Sequence, residues 1–266
     1  MGSYQVTKTP GGGYWVSETD GLGMAMNAAA GVAGMALGSA LVAARNAASR
    51  VNYRKSEQAW AAILNAQNTE DWPLAYELAK QFTRHYPKER AGYEALVVSA
   101  ACIKATELPS AERLDVARLG EVRGVDREMV ASLRAKAYFA SKDMVSLLRE
   151  SNTLIGFNGE AKAIGYLTRS QALLWLGDLD QALSDANAAV SLMPECTSYA
   201  MRADVFWASG DLSRAVADYT RAFQIDSTDA TYLERRASVY EAQGQLAAAE
   251  SDRRAAMELR QRTGSP

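Results

Sequence analysis

The chain has 266 residues, 48% of them hydrophobic and 23% charged, enough apolar material to bury a sizeable core and too much for a disordered chain. A formal charge of −2 gives no net pull toward nucleic acid, which is excluded as the default partner. Cys102 and Cys196 stand in no metal-ligand or CxxC spacing and His85 is the single histidine, a combination that argues against structural zinc, a disulfide framework and imidazole catalysis and fits a reducing, cytoplasmic compartment.

Residues 1–21 are a glycine-rich tail. Tyr4-Gln5-Val6-Thr7 and Tyr14-Trp15-Val16 flank Thr9-Pro10 and three glycines, which reads as two β-prone runs around a turn, a short β-hairpin. A lone two-stranded hairpin is marginal in water, so it either pairs with another chain or remains a tail. The glycines form no phosphate loop, because no Gly-Lys-Ser/Thr follows.

Residues 22–50 read as a Gly/Ala-rich apolar helix. Met24 to Ala44 carries no charge over 21 residues, a length that permits a membrane span. Its strongly apolar residues are few, Val32, Leu37, Leu41 and Val42, which makes insertion marginal. Acidic Glu18 and Asp20 precede it, where a signal peptide would be basic. If it spanned, Arg45, Arg50, Arg54 and Lys55 would hold the C-terminal side in the cytoplasm. Ala30, Gly34 and Gly38 line one stripe with Gly31 beside it, and Leu37 and Leu41 add apolar surface elsewhere. Such a stripe lets backbones approach closely. The helix is therefore expected to pack between subunits of a homo-oligomer, to enter a membrane or to fold back on the rest of the chain; the stripe and the aromatic tail favour other subunits.

Residues 51–263 are periodic, most regularly toward the C-terminus. Gly177, Gly210 and Gly244 lie 33 and 34 residues apart in similar text: Trp175-Leu-Gly-Asp-Leu, Ala208-Ser-Gly-Asp-Leu and Ala242-Gln-Gly-Gln-Leu. At the same register come Ala182, Ala215 and Ala249, then Ala189, Ala222 and Ala256. Before the glycines come the bulky Leu173, Phe206 and Tyr240 and the small Ser170, Ala203 and Ala237. Small residues where two helices cross, with a large one beside them, are the pattern of a helical hairpin.

This pattern resembles the tetratricopeptide repeat, a family of helix-turn-helix units of about 34 residues. The resemblance implies an all-α, right-handed superhelical solenoid. The clear units are 163–195, 196–229 and 230–263. A degenerate unit at 128–162 has Arg134-Ala135 and Tyr138 in register, with Lys142 in place of the turn glycine. Asp71-Trp72, Ala75, Ala79 and Pro87 mark a unit at 56–89; Lys104 to Pro109 and Gly120 to Gly124 interrupt the period, leaving 90–127 an irregular hairpin.

In the family, first helices line a concave groove that receives a peptide or a partner's helix. Carried over residue by residue, the resemblance implies groove positions at Lys136 and Phe139; Leu167, Gln171, Leu174 and Trp175; Asp204 and Trp207; Glu234 and Glu241. Phe139, Trp175 and Trp207 fall just outside the hairpin packing positions and suggest an apolar anchor. The acids at Asp204 and Glu234 do not suit the carboxylate clamp found in some members. Arg169, Arg202 and Arg236 recur near the packing face, where their reach is expected to be spent on neighbouring carbonyls or acids.

No nucleophile elbow, His–acid pair or metal-ligand cluster stands out. The reading is a non-enzymatic scaffold or adaptor that needs no cofactor. It binds a protein or peptide segment in the repeat groove and assembles through its N-terminal region. The alternative is a membrane-tethered or membrane-active effector whose N-terminal helix inserts while the repeats face the cytoplasm.

Overall fold

The computed structural model describes residues 4–8, 14–18, 56–104 and 107–263. Strands β1 (Tyr4–Lys8) and β2 (Tyr14–Glu18) pair as a two-stranded sheet. Twelve helices account for most of the other described residues, and they fall into two compact units that meet in sequence between Asp143 and Met144.

The first unit holds α1 (Ser56–Asn68), α2 (Trp72–His85), α3 (Arg90–Cys102), α4 (Ser110–Val122) and α5 (Arg127–Ala140). Each packs on the next, and α5 also reaches α3. The shared core includes Ile63, Tyr76, Phe82, Leu96, Val116 and Leu133. Gly92 of α3 is required by a close approach: a Cβ there would lie 2.6 Å from Cδ1 of Phe82.

The second unit holds α6 (Met144–Ile155), α7 (Glu160–Leu176), α8 (Leu179–Leu192), α9 (Cys196–Ala208), α10 (Leu212–Ile225), α11 (Thr231–Ala242) and α12 (Leu246–Thr263). The small residues sit at the crossings: Ala203, Ala215 and Ala222 of α9 and α10 are wholly buried, as are Ala182, Ala186 and Ala189 of α8. Ser170 stands where the other hairpins have alanine, and its hydroxyl donates to the Ala182 carbonyl at 2.8 Å. At these small-residue positions the helices meet by apolar closeness, and the Ser170 hydroxyl is satisfied across its crossing.

The turns between paired helices share one geometry. Gly177, Gly210 and Gly244 have φ of 83°, 83° and 74°, the left-handed region. The following residue donates its backbone N–H back to the helix, Asp178 to Leu173, Asp211 to Phe206 and Gln245 to Tyr240, at 2.8–3.0 Å. This closes the open carbonyls of the helix end. Asp178 and Asp211 then cap the next helix, accepting from the N–H of Gln181 and Arg214. Lys142, which replaces the turn glycine in the sequence, takes the same conformation at φ 58°, and Glu70 does so at 57°.

The interruption at Lys104–Pro109 also has a physical basis. Arg113 of α4 is fully buried and donates to the carbonyls of Leu108, Ala100, Ile103 and Lys104 at 2.7–3.2 Å. A cation at the end of α3 thus satisfies carbonyls that a regular repeat turn would have closed. Gly120 is needed because a Cβ there would meet Cγ2 of Val97 at 2.8 Å. His85 ends α2 with Nδ1 2.9 Å from the Gln81 carbonyl oxygen, as a helix-terminal histidine should.

The turn geometry predicts opposite effects for two substitutions. Apart from Gly210 itself and its two chain neighbours, no residue comes within 4 Å of a Cβ placed on Gly210, so Gly210→Ala should cost only left-handed backbone strain, about 1–2 kcal/mol. Lys142→Gly should relieve that strain and raise stability by up to about 1 kcal/mol. Urea unfolding of the two variants measures both; a stabilised Gly210→Ala would contradict the account.

Candidate protein-binding face

The candidate face is carried by α7, α9 and α11, and three arginines fix where those helices sit. Arg169 of α7 donates from Nε and Nη2 to both oxygens of Asp185 in α8, at 2.7 and 2.8 Å. Arg202 of α9 does the same to Asp218 in α10 at 2.7 and 2.9 Å. Arg236 of α11 grips Asp252 in α12 at 2.7 Å twice. In each case Nη1 reaches back to the preceding hairpin or helix, to Asn152 Oδ1, Asn187 Oδ1 and Thr220 Oγ1 at 2.8, 3.1 and 2.9 Å. The expectation that these arginines serve neighbouring acids is met; the second contact, to the preceding helix, adds the link between hairpins.

On this framework Trp175, near the end of α7, is 54% exposed and Trp207, near the end of α9, is 36% exposed. Leu176 is exposed beside Trp175. Leu174 is half-buried, whereas Leu167 and Gln171 are buried. Phe139 lies in the first unit and is only 9% exposed, which corrects its reading as a surface anchor: it packs as core, leaving the two tryptophans as the open aromatics of the set. Lys136 donates to the Ala101 carbonyl at 2.9 Å, so its ammonium serves the end of α3.

The acids of the face are also committed. Asp204 accepts from the Tyr219 hydroxyl and from Arg235 Nη1, the latter at 2.5 Å. Burial pushes the Asp204 carboxyl above its ordinary range, with Arg235 and Tyr219 pulling against it. Glu234 pairs with Arg260 at 2.8 Å, and Glu241 pairs with Arg253. The face thus offers exposed indoles over neutralised charge. Tyr219 and Arg235 went unnoticed in the sequence, although the register held a signal. Ala186, Tyr219 and Arg253 share one repeat position, and Thr168, Met201 and Arg235 share another, so the repeats differ from one another at both positions from which the network takes Tyr219 and Arg235.

The helix positions Ala30, Gly31, Gly34, Leu37, Gly38 and Leu41 lie outside the described residues. No helix among the described residues is long and apolar enough to cross a membrane.

Successive antiparallel helices, small residues at the crossings and a recurring left-handed turn define a protein of helical-hairpin repeats. Residues 197–229 match the family model of the tetratricopeptide repeat (TPR), so at least this segment of the chain is a tetratricopeptide repeat. Among solved structures it is similar to the APC/C hetero-tetramer Cut9-Hcn1, at 10% identity over 84% of this chain and 43% of that chain, with a TM-score of 0.66. It is also similar to BtubC from P. vanneervenii, at 16% identity over 78% of this chain and 93% of that one, TM-score 0.56. A third is TTC0263, a thermophilic TPR protein in Thermus thermophilus, at 15% identity, 70% and 98% coverage and TM-score 0.52. At such identities the likeness is one of fold. No curated protein matches the chain by sequence.

The buried network predicts a graded loss. Tyr219→Phe removes one donor from Asp204 and should cost about 1–2 kcal/mol. Arg235→Leu removes the positive partner and should cost more, about 3 kcal/mol. Thermal unfolding gives both values; negligible losses would show that the network carries no stability, and equal losses would contradict the grading.

Proposed function

We propose that the protein is a non-enzymatic interaction scaffold that holds a segment of a partner protein on the α7–α9–α11 face, anchored by Trp175 and Trp207. The observation that carries this reading is the pair of large indoles left 54% and 36% exposed on successive first helices. Exposed tryptophan is costly to leave in water and is the side chain most enriched at binding hot spots. The surrounding carboxylates already have partners, so apolar contact supplies the affinity. Buried Cys196 fits a packing role: burial pushes its thiol up, away from the reactive thiolate. Neither Cys102 nor Cys196 is in a disulfide, which supports the cytoplasmic assignment.

Self-assembly through the N-terminal region belongs to the same proposal and rests on the Ala30, Gly34 and Gly38 stripe. The full chain should then lose subunits when Gly34 and Gly38 are both replaced by leucine, as read by light-scattering mass. An unchanged mass would remove the assembly element.

The binding element has its own test. A Trp175→Ala, Trp207→Ala double variant should lose more than about 2 kcal/mol of affinity for a partner captured by the full chain and measured by calorimetry. Unchanged affinity with an intact helical spectrum would refute it.

A further inference from the structure

A second surface of the same unit carries chemistry that the tryptophan face does not use. A cavity of ≈ 320 Å³ opens among α8, α9 and α10. Its apolar lining comes from Leu183, Phe206 and Ala217, and its polar lining includes Arg202, Asp218 and Arg214. Neither Trp175 nor Trp207 is part of it. The volume is at the small end of the range for ligand pockets, about 300–1,000 Å³, a size for one large side chain.

The charges around the recess are unequal in availability. Arg202 is held by both oxygens of Asp218, so that pair is a fixed, neutral wall. Arg214 differs: its side chain is 68% exposed, its guanidinium stands 5.4 Å from the centre of the Phe206 ring, and its acid is Asp211 in the same turn at 3.2 Å. An exposed pair of this kind contributes little and exchanges readily for an incoming carboxylate. Arg221, two helical turns further along α10, is exposed, with Gln224 and the Tyr199 ring as its neighbours. Ala217 lies between these two arginines on one strip of the helix. The result is an apolar recess flanked by exchangeable positive charge.

We propose that this recess is a second docking site, which takes a large apolar side chain of a partner protein flanked by acidic residues. The apolar side chain would enter against Phe206 and Leu183, and the carboxylates would meet Arg214 and Arg221. Charge complementarity selects an acidic segment over a basic one, and the volume of the recess suits a large apolar side chain better than a small one. The site is independent of the tryptophan face, so either can fail without the other.

The test uses the full chain and two fluorescein-labelled peptides, Gly-Ser-Glu-Phe-Glu-Ser-Gly and Gly-Ser-Lys-Phe-Lys-Ser-Gly, followed by fluorescence polarisation. The acidic peptide should bind saturably and about fivefold or more tightly than the basic one, the scale expected from two exposed charge contacts. Arg214→Glu combined with Arg221→Glu should invert the preference. Ala217→Trp, at an exposed position, should fill the mouth and abolish binding, whereas Trp175→Ala with Trp207→Ala should leave it unchanged. Equal binding of the two peptides, no saturation by about 1 mM, or loss of binding in the tryptophan variant would overturn the proposal. If Ala217→Trp loses helicity, the charge-reversed variant, built at two exposed positions, decides the matter.

Discussion

In the second unit, the geometry rests on one repeated contact, an arginine in the first helix of a hairpin clasping an aspartate in the second. Arg169–Asp185, Arg202–Asp218 and Arg236–Asp252 are bidentate, with side chains mostly withdrawn from water. Fork-to-carboxylate geometry is the strongest form of ion pair and fixes both angle and distance. Each guanidinium also lies near an aromatic ring, Tyr166, Tyr199 or Tyr240, at 5.5–5.9 Å, which covers its face while its edges bond. Alanine-on-alanine contact brings two helices close but leaves them free to slide. The arginine supplies the register, and its third nitrogen transmits it to the preceding helix.

The display of the candidate sites follows from that register. Trp207 lies five residues after Arg202 on α9, and Phe206, the apolar wall of the recess, lies four after it. Holding Arg202 in place therefore holds both surfaces. The acids on α9 and α11 are already paired: Asp204 with Tyr219 and Arg235, Glu234 with Arg260. A partner gains little by competing for those acids and much by covering the indoles.

Much of the fold was legible in the sequence because its periodic requirements are local. A turn that needs a left-handed residue writes glycine every 33 or 34 positions, and a helix crossing that admits only small side chains writes alanine. The exceptions were legible only by register, as with Lys142, which bears the strain that glycine avoids elsewhere. What the sequence concealed were contacts between residues far apart in the chain and off the period. Arg113 follows the interrupted stretch, where no repeat position marks it, yet it closes the end of α3 from within the core. The tryptophans could be placed on the first helices, but the sequence pattern did not distinguish exposed Trp175 and Trp207 from buried Phe139. Arg202 was recognised as part of the packing face; its aspartate, sixteen residues on, was not singled out, because α-helical periodicity does not mark pairs across a hairpin.

The central claim is that the arginine–aspartate clasp is a strong, geometry-setting contact, and a double-mutant cycle on Arg202 and Asp218 tests it most directly. Urea unfolding of the full chain with Arg202→Ala, Asp218→Ala and both together gives the coupling free energy. Because the pair is bidentate and largely buried, it should be about 2 kcal/mol, with the double variant less destabilised than the sum of the singles. A coupling below about 0.5 kcal/mol, the range of an exposed surface pair, would contradict it.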